Sequence, residues 1–379
     1  MQNENRRQFI SRLGTGMVAA GAASLLKPVL AKEMPAASPL PVPFAALKQA
    51  AAQKGILFGA AEAQKHLAAD PKLARAFAAQ NALLVPEWEL KWDFLRPTPT
   101  TYSFDLADWL LQFAQQSGMK FRGHTFLWYQ SLPNWFDSYA TPSNAQQLLQ
   151  SHIATVGGRY AGKMHSWDVV NEVLEPNDKR SDGLRNTPWL KLLGPDHIEF
   201  AFRTAAQADP HALLIWNENY LEEDSSRGET KRTFFIRHLQ DLQSKKVPIH
   251  GIGIQSHLVG DHANIAGTQF QQFLATVGAM GLKIIVSELD VQDQNLPGEI
   301  SSRDQKVADV YYRYLSAVLQ EKSAIAVITW GTSNAYSWLR SYKPRADGAP
   351  VRALPLDEDM NPTPVHAAIA KAFQEASPR

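Results

Sequence analysis

Two glutamates stand where two buried strands are predicted to end. Glu172 closes the segment Trp-Asp-Val-Val-Asn-Glu that begins at Trp167, and Glu288 closes Ile-Ile-Val-Ser-Glu, which begins at Ile284. The carboxyl ends of parallel strands lie at the same edge of a sheet, so the two side chains are expected to share a site. Paired carboxylates suit the hydrolysis of a glycosidic bond, in which one protonates the leaving oxygen and the other acts on the sugar. The pattern therefore predicts a site that hydrolyses a polysaccharide.

The surroundings of the two glutamates predict different roles. Glu172 follows Asn171 at the end of an otherwise apolar strand, and an apolar environment raises the pKa of a carboxyl group, which suits a general acid. Glu288 has to stay ionised if it is to attack, and His257 with Asp290 could hold it so through hydrogen bonds. The two carboxyl groups would lie about 5–5.5 Å apart for retention of configuration and about 6.5–9.5 Å apart for inversion. The structural alternative is that each glutamate is only an ion-pair partner at a strand end.

Other predicted strands also end in polar or aromatic residues. The loops after the strands form the active site of a parallel barrel, so these side chains are expected to lie at one rim with the glutamates. They follow the second, third, sixth and eighth strands and are Glu87, Lys91, His124, Gln255, His257 and Trp330. Such convergence favours a binding cleft over packing alone.

Some of the ten tryptophans lie near strand ends, where an indole could stack on a sugar ring. Trp128, Trp330 and Trp338 are the best candidates, with filling of the core as the alternative. No metal or cofactor is predicted, because the chain has no cysteine and no His-Glu-x-x-His motif. Gly251 and Gly253 lack the third glycine of a dinucleotide fingerprint, and there is no Gly-x-Ser-x-Gly motif.

Eight continuous apolar runs predict strands that are covered on both faces. They are Ile56–Ala60, Ala82–Pro86, Lys120–His124, His165–Val170, Leu213–Trp216, Gly251–Gln255, Lys283–Val286 and Ala324–Thr329. Amphipathic segments between them predict helices, and the clearest has Asp105 as its N-cap and Gly118 as its stop. This alternation predicts an α/β fold, a single-domain (β/α)8 TIM barrel over residues 54–379.

The bulk composition excludes several classes of protein. The 379 residues carry a formal net charge of +1, with 45% hydrophobic residues, which is enough for a full core. Acidic and basic residues are intermixed, so nucleic acid is not expected as a partner and a neutral substrate is compatible with the charge. We expect a monomer.

The first residues predict a targeting segment rather than part of the fold. Asn5 to Ser11 carries the paired arginines of a twin-arginine signal, and an apolar stretch from Leu13 to Leu26 and small residues ending at Ala31 follow. We predict a signal peptide over residues 1–31, a Pro/Ala-rich leader with the first helix over 32–53, and a periplasmic or secreted protein. The apolar stretch is too short for a committed transmembrane helix, so no membrane attachment of the mature form is expected. The alternative is a poorly ordered cytoplasmic tail.

From about Lys54 to Ala372 the ordered motifs closely resemble those of the endo-β-1,4-xylanases of glycoside hydrolase family 10. The matching segments are Arg122–Thr125 with Leu127–Trp128 and Leu132–Pro133, Trp167–Glu172, Gly251–Leu258, Ser287–Asp290, and Thr329–Gly331 with Ser337–Leu339. The resemblance implies a retaining hydrolase of xylan or xylo-oligosaccharides that needs no cofactor. It implies Glu172 as acid/base and Glu288 as nucleophile. The residues that it implies for the sugar subsites are His124, Trp128, Asn171, Gln255, His257, Trp330 and Trp338.

The second-strand motif departs from the family pattern. Glu87 and Lys91 match, and the lysine of the family binds a sugar on the non-reducing side, but Trp88 stands where an asparagine is usual. An indole has no acceptor for a sugar hydroxyl, so the distal glycone subsite is expected to differ.

Three further departures lie elsewhere and leave the glutamates untouched. Tyr129 stands where histidine is common, and Asn334 where aspartate is frequent. After the fifth strand, Asn217-Glu-Asn-Tyr220 replaces the usual Asn-Asp-Tyr, which displaces an aromatic residue by one position.

Two other functions stay open. The change at Trp88 allows a related β-glycanase that acts on mixed-linkage glucan or cello-oligosaccharides. The chain could also be a carbohydrate-binding barrel that keeps the cleft without turnover.

Overall fold

The computed structural model describes residues 45–261 and 265–379. The predicted signal peptide over residues 1–31 and most of the predicted leader lie outside the described residues, and export stays a prediction. The end of that leader forms the helix Leu47–Ala52, which contacts the C-terminal helix.

Parallel strands form a closed barrel, as the sequence predicts. They are β1 (Leu57–Glu62), β2 (Leu83–Pro86), β3 (Lys120–Leu127), β4 (Ser166–Asn171), β5 (Leu213–Glu218), β6 (Gly251–Ile254), β7 (His257–Val259), β8 (Lys283–Gln292) and β9 (Ala324–Thr329). Strands β1 to β6 pair in chain order, and β8 and β9 complete the ring because β6 pairs with β8 and β1 pairs with β9. The short β7 follows β6 and pairs with the end of β8.

The barrel strands are apolar on both faces because each face meets a different core. Alternate residues such as Val85, Ile215 and Ile285 fill the inside of the barrel, and the larger core lies between the strands and the outer helices. Gly123 on β3 allows Trp167 of β4 to pack closely, since a Cβ at Gly123 would lie 1.9 Å from the indole. Burial on both sides explains why the strands read as continuous apolar runs.

Helices surround the barrel and connect its strands. The α-helices are Leu47–Ala52, Gln64–Ala69, Pro71–Gln80, Trp92–Leu95, Asp105–Gln116, Phe136–Tyr139, Ala145–Tyr160, Pro188–Leu193, His197–Ala208, Ser226–Ser244, Thr268–Ala279, Ile300–Val318, Leu339–Tyr342 and Pro364–Glu375. Short 3-10 helices occupy Pro176–Asp178 and Asn334–Tyr336. Across residues 45–261 and 265–379, no helix has the length and apolar character needed to cross a membrane.

The predicted N-cap at Asp105 is wrong by one residue. The N-cap is Phe104, which makes no side-chain cap, and Asp105 is the first helical residue. A carboxylate in the first turn still interacts favourably with the helix dipole, which is why an acidic residue is compatible with either position.

Candidate active site

An open cleft of about 510 Å³ lies at the carboxyl ends of the strands, where barrels of this kind place their sites. Its lining comes from the ends of β2, β3, β4, β8 and β9 and from β7. The lining residues are Glu87, Trp88, Lys91, His124, Trp128, Gln130, Asn171, Glu172, His257, Glu288, Trp330, Trp338 and Tyr342. The structure thus brings the predicted site residues to one cleft, except Gln255 and Asp290, which are buried beside it.

Amide side chains link the two glutamates. Gln255 Nε2 donates to Glu172 Oε1 at 2.9 Å and lies 3.2 Å from Asn171 Oδ1. Asn217 Nδ2 lies 2.9 Å from the same Asn171 oxygen and donates to Glu288 Oε1 at 2.6 Å. All five side chains are buried, where losing a hydrogen-bond partner is costly. The amides therefore fix the carboxyl groups relative to each other. Gln255 holds Glu172, and its predicted contact with substrate stays a prediction.

The backbone at Glu172 is held in an uncommon conformation. Its φ is 54°, and a left-handed conformation of this kind costs a non-glycine residue on the order of 1–3 kcal/mol and persists only where the surroundings enforce it. The Glu172 N–H donates to the carbonyl of Asn217 at 3.1 Å. Arg185 Nε donates to the carbonyl of Glu172 at 2.7 Å. These contacts turn the chain at the end of β4, and the Glu172 side chain lines the cleft.

A chain of hydrogen bonds links Glu288 to His257, Asp290 and Trp338. Glu288 Oε2 lies 3.1 Å from His257 Nε2, and His257 Nδ1 lies 2.9 Å from Asp290 Oδ1. The other oxygen of Asp290 accepts from Trp338 Nε1 at 2.7 Å. Asp290 is fully buried, so it sets the orientation of both rings.

Neighbouring cations keep Glu288 ionised. Burial by itself would raise its pKa, but the hydrogen bond from His257 and the positive charges of His124, His257 and Lys91 lower it to about 2. Burial would likewise lower the pKa of His257, but Asp290 and Glu288 raise it to about 10. At neutral pH the site therefore contains a carboxylate beside an imidazolium, and the carboxylate is in the form that a nucleophile requires.

His124 is held from outside the cleft. Its Nδ1 lies 3.0 Å from Asp168 Oδ2, while Arg122 pairs with the other oxygen of Asp168 and donates to Ser166 Oγ at 2.6 Å. Because Asp168 engages Nδ1, the other ring nitrogen of His124 is left for the cleft that this residue lines.

A group of buried acids lies at the ends of β1 and β2. Burial and the nearby charge of Glu62 raise the pKa of Glu87 to about 8, against the opposing charge of Lys91. Candidate ligand atoms of Glu62, His66 and Glu87 lie within 4.8 Å of one another, a spacing that a divalent cation could use. His66 Nδ1 is already 2.8 Å from Glu62 Oε1, and a proton on Glu87 removes the repulsion between the acids. This contact and the proton on Glu87 reduce the repulsion within the group without an ion, and we assign none.

Several residues at the site were given no role from the sequence. Gln130 and Tyr342 line the cleft, and Asn217 and Asp168 contact residues that line it. Asn217 lies on β5 as the register partner of Asn171 on β4, and Asp168 is within the strand that ends in Glu172. A predicted fifth strand one residue longer would have ended at Asn217, as the fourth ends near Asn171. Gly253 makes room for this amide, because a Cβ there would lie 2.1 Å from Asn217 Oδ1.

Three of the departures from the family pattern lie outside the set of lining residues. The guanidinium of Arg227 lies 3.9 Å from the ring centroid of Tyr220, and that of Arg185 lies 4.9 Å from the ring centroid of Tyr129. Asn334 is buried, and its Oδ1 accepts from two backbone N–H groups at 2.9 Å each. An aspartate could accept the same hydrogen bonds, so asparagine preserves the loop.

A closed (β/α)8 barrel whose cleft holds two glutamates among several indoles has the architecture of a glycoside hydrolase. The model of the family described as Glycosyl hydrolase family 10 matches residues 46–372. The chain belongs to this family.

Curated relatives and solved structures agree with this assignment. The chain is 32% identical over 294 residues to "Endo-1,4-beta-xylanase B" of Thermotoga neapolitana, which covers 77% of this chain and 81% of the relative. It is 34% identical over 312 residues to "Exoglucanase XynX" of Acetivibrio thermocellus, which covers 78% of this chain and 27% of that protein. Xylanase 10B from Thermotoga petrophila, solved in complex with xylobiose, superposes with a TM-score of 0.80 at 29% identity over 88% of this chain and 98% of its own.

Proposed function

We propose that the chain is a retaining endo-1,4-β-xylanase in which Glu288 is the nucleophile and Glu172 the acid/base. The observation that carries the proposal is the setting of Glu288, a buried carboxylate that Asn217 and His257 hold ionised in the same cleft as Glu172. The family match, the relative named as an endo-1,4-beta-xylanase and the structure with bound xylobiose support xylan or xylo-oligosaccharides as the substrate.

The proposed reaction has two steps that use the same two carboxyl groups. First, the Glu288 carboxylate bonds to the anomeric carbon, the bond to the glycosidic oxygen breaks, and Glu172 gives its proton to that oxygen. Second, Glu172 takes a proton from water, the water oxygen bonds to the anomeric carbon, and Glu288 leaves as a carboxylate. Each step inverts the anomeric carbon, so the product keeps the β configuration. One water is consumed, and no cofactor takes part.

The aromatic lining suits a chain of sugar rings. Trp128, Trp330 and Trp338 line the cleft, and the hydrogen bond to Asp290 orients the indole of Trp338. Indoles offer a large apolar surface to the faces of sugar rings. These residues are proposed to position the substrate over the two glutamates.

The stereochemistry of the first product tests the proposal. Purified protein incubated with xylohexaose should release a new reducing end as the β-anomer, which NMR detects before mutarotation mixes the anomers. The α-anomer appearing first would exclude the double displacement and the nucleophilic role of Glu288.

A β-glucanase is the second candidate. The tryptophan at position 88 and the relative named as an exoglucanase favour it. Rates on xylohexaose and cellohexaose under the same conditions separate the two, and a clear preference for cellohexaose would replace xylan as the substrate. Tight binding of both sugars without any product would instead indicate a carbohydrate-binding barrel.

Replacing His257 by asparagine should move the acidic limb of the pH profile upward. Glu288 has to be ionised, so activity is lost as the pH falls through its pKa of about 2. Without the imidazolium that pKa rises toward the ordinary value of 4.5. We expect kcat/KM for xylohexaose to stay level between about pH 4 and 6 in the wild type and to fall toward pH 4 in the variant.

The same groups predict how stability depends on pH. The lowered pKa of Glu288 stabilises the fold above 4.5, and this contribution is lost as the pH falls through about 2. The raised pKa of His257 stabilises the fold below 6.5, and this contribution is lost as the pH rises through about 10. The activity profile decides the role of His257. Identical acidic limbs of kcat/KM in the wild type and in His257→Asn would show that His257 does not control the ionisation of Glu288.

A further inference from the structure

Trp88 lines the cleft, and neither the reaction nor the family pattern explains it. It directly follows β2 and Glu87, and it lines the cleft together with Lys91. It stands where the family usually has an asparagine. Its side chain is half-buried, so the indole has not turned away from the site into solvent.

Contacts on the ring hold the indole in this position. The ammonium of Lys91 lies 4.2 Å from the ring centroid of Trp88, which is within the range of a cation–π interaction. Phe94 stacks against the same indole with centroids 6.2 Å apart and an interplanar angle of 28°. Phe94 is itself 42% exposed, so this pair of rings extends from the cleft to the protein surface.

Lys91 shows on which side of the cleavage point Trp88 lies. Its ammonium also lies 5.1 Å and 5.8 Å from the ring centroids of Trp128 and Trp330, and its charge helps to lower the pKa of Glu288. Glu288 is the group that would bond to the glycone sugar. In the family pattern the lysine at this position binds a sugar on the non-reducing side, so by resemblance Lys91 belongs to the glycone side. Trp88 lies beside it, toward the exposed ring of Phe94.

We propose that Trp88 ends the glycone side of the cleft, so that the enzyme holds one glycone sugar firmly and the next one weakly. This inference rests on the proposed function. An asparagine at this position would offer both a donor and an acceptor to a sugar hydroxyl, whereas an indole offers one N–H, no acceptor and a much larger volume. Trp88 is thus a specificity-determining residue that favours substrates with a short glycone.

Two aryl glycosides with the same leaving group test this role. The ratio of kcat/KM for an aryl β-xylobioside to that for the matching aryl β-xyloside measures what the second glycone sugar contributes. Effects on Glu172 or Glu288 act on both substrates and cancel in the ratio. We expect a ratio of about tenfold or less in the wild type, and a rise of about tenfold in Trp88→Asn, since one added hydrogen bond is worth about one factor of ten.

Trp88→Phe is the matched control, because it keeps an aromatic ring against Lys91 and Phe94 and adds no polar group. Its ratio should stay close to that of the wild type. A wild-type ratio of about 10³ or more would overturn the inference, and so would a ratio that Trp88→Asn leaves unchanged or lowers, since the indole would then bind the second sugar itself. If the wild type cleaves none of these substrates, neither the two aryl glycosides nor xylan, the proposed function fails and this inference fails with it.

Discussion

Glu288→Gln is expected to lower kcat/KM for xylohexaose by about 10⁴-fold or more, as loss of a nucleophile that acts together with its partners does in other hydrolases. The amide has the same shape and can still accept from Asn217, but it cannot form the bond to the anomeric carbon. Asp290 still pairs with His257 at 2.9 Å, so the surrounding hydrogen bonds largely persist. Initial rates from a reducing-end assay, together with the midpoint of thermal unfolding, measure the effect separately from any loss of fold.

Glu222→Gln provides the matched control for this substitution. Glu222 is another buried glutamate, 3% exposed, whose pKa burial raises to about 7, and it does not line the cleft. Its replacement should leave the rate within about threefold of the wild type, since less than 1 kcal/mol of the barrier would change. A Glu288→Gln enzyme that kept a rate within about tenfold of the wild type would show that another group attacks the sugar.

Glu172→Gln should have a large effect that depends on the leaving group. Hydrolysis of xylohexaose should slow by about 10²–10⁴-fold, the usual contribution of a general acid or base. A dinitrophenyl xylobioside has a leaving group that needs no proton, so its first step should proceed at nearly the wild-type rate and the sugar should accumulate on Glu288. A rapid burst of dinitrophenol followed by slow steady-state turnover would show that the sugar accumulates on Glu288.

Added azide distinguishes the two glutamate roles. Azide needs no general base, so in Glu172→Ala it should attack the anomeric carbon, displace Glu288 and give a β-xylosyl azide. In Glu288→Ala it would act in place of the missing nucleophile and give the α-azide. An equal loss of kcat/KM on xylohexaose and on the dinitrophenyl substrate in Glu172→Gln would contradict the acid/base assignment, since kcat/KM reports the first step.

The local sequence determined the elements of the barrel and the ends at which its polar residues lie. The runs Leu213–Trp216 and Ala324–Thr329 predict strands because both faces of each are buried, and the structure contains β5 and β9 there. Bounds are less well predicted. The predicted strand Lys283–Val286 continues as β8 to Gln292, since backbone pairing extends into polar residues at the rim that an apolar pattern does not include.

Only the tertiary structure decided how the site residues are connected. Gln255, which the motif predicts to bind substrate, donates to Glu172, and Asn217, to which no role was assigned from the sequence, holds Glu288. Trp88 could have turned outward, yet it lines the cleft against Lys91. Periodicity and motifs indicate which residues end a strand, because the run of buried apolar residues in the sequence stops where the strand reaches the rim. Which side chain then meets which depends on register across the barrel and on rotamers, and both are set by packing between segments that are distant in sequence.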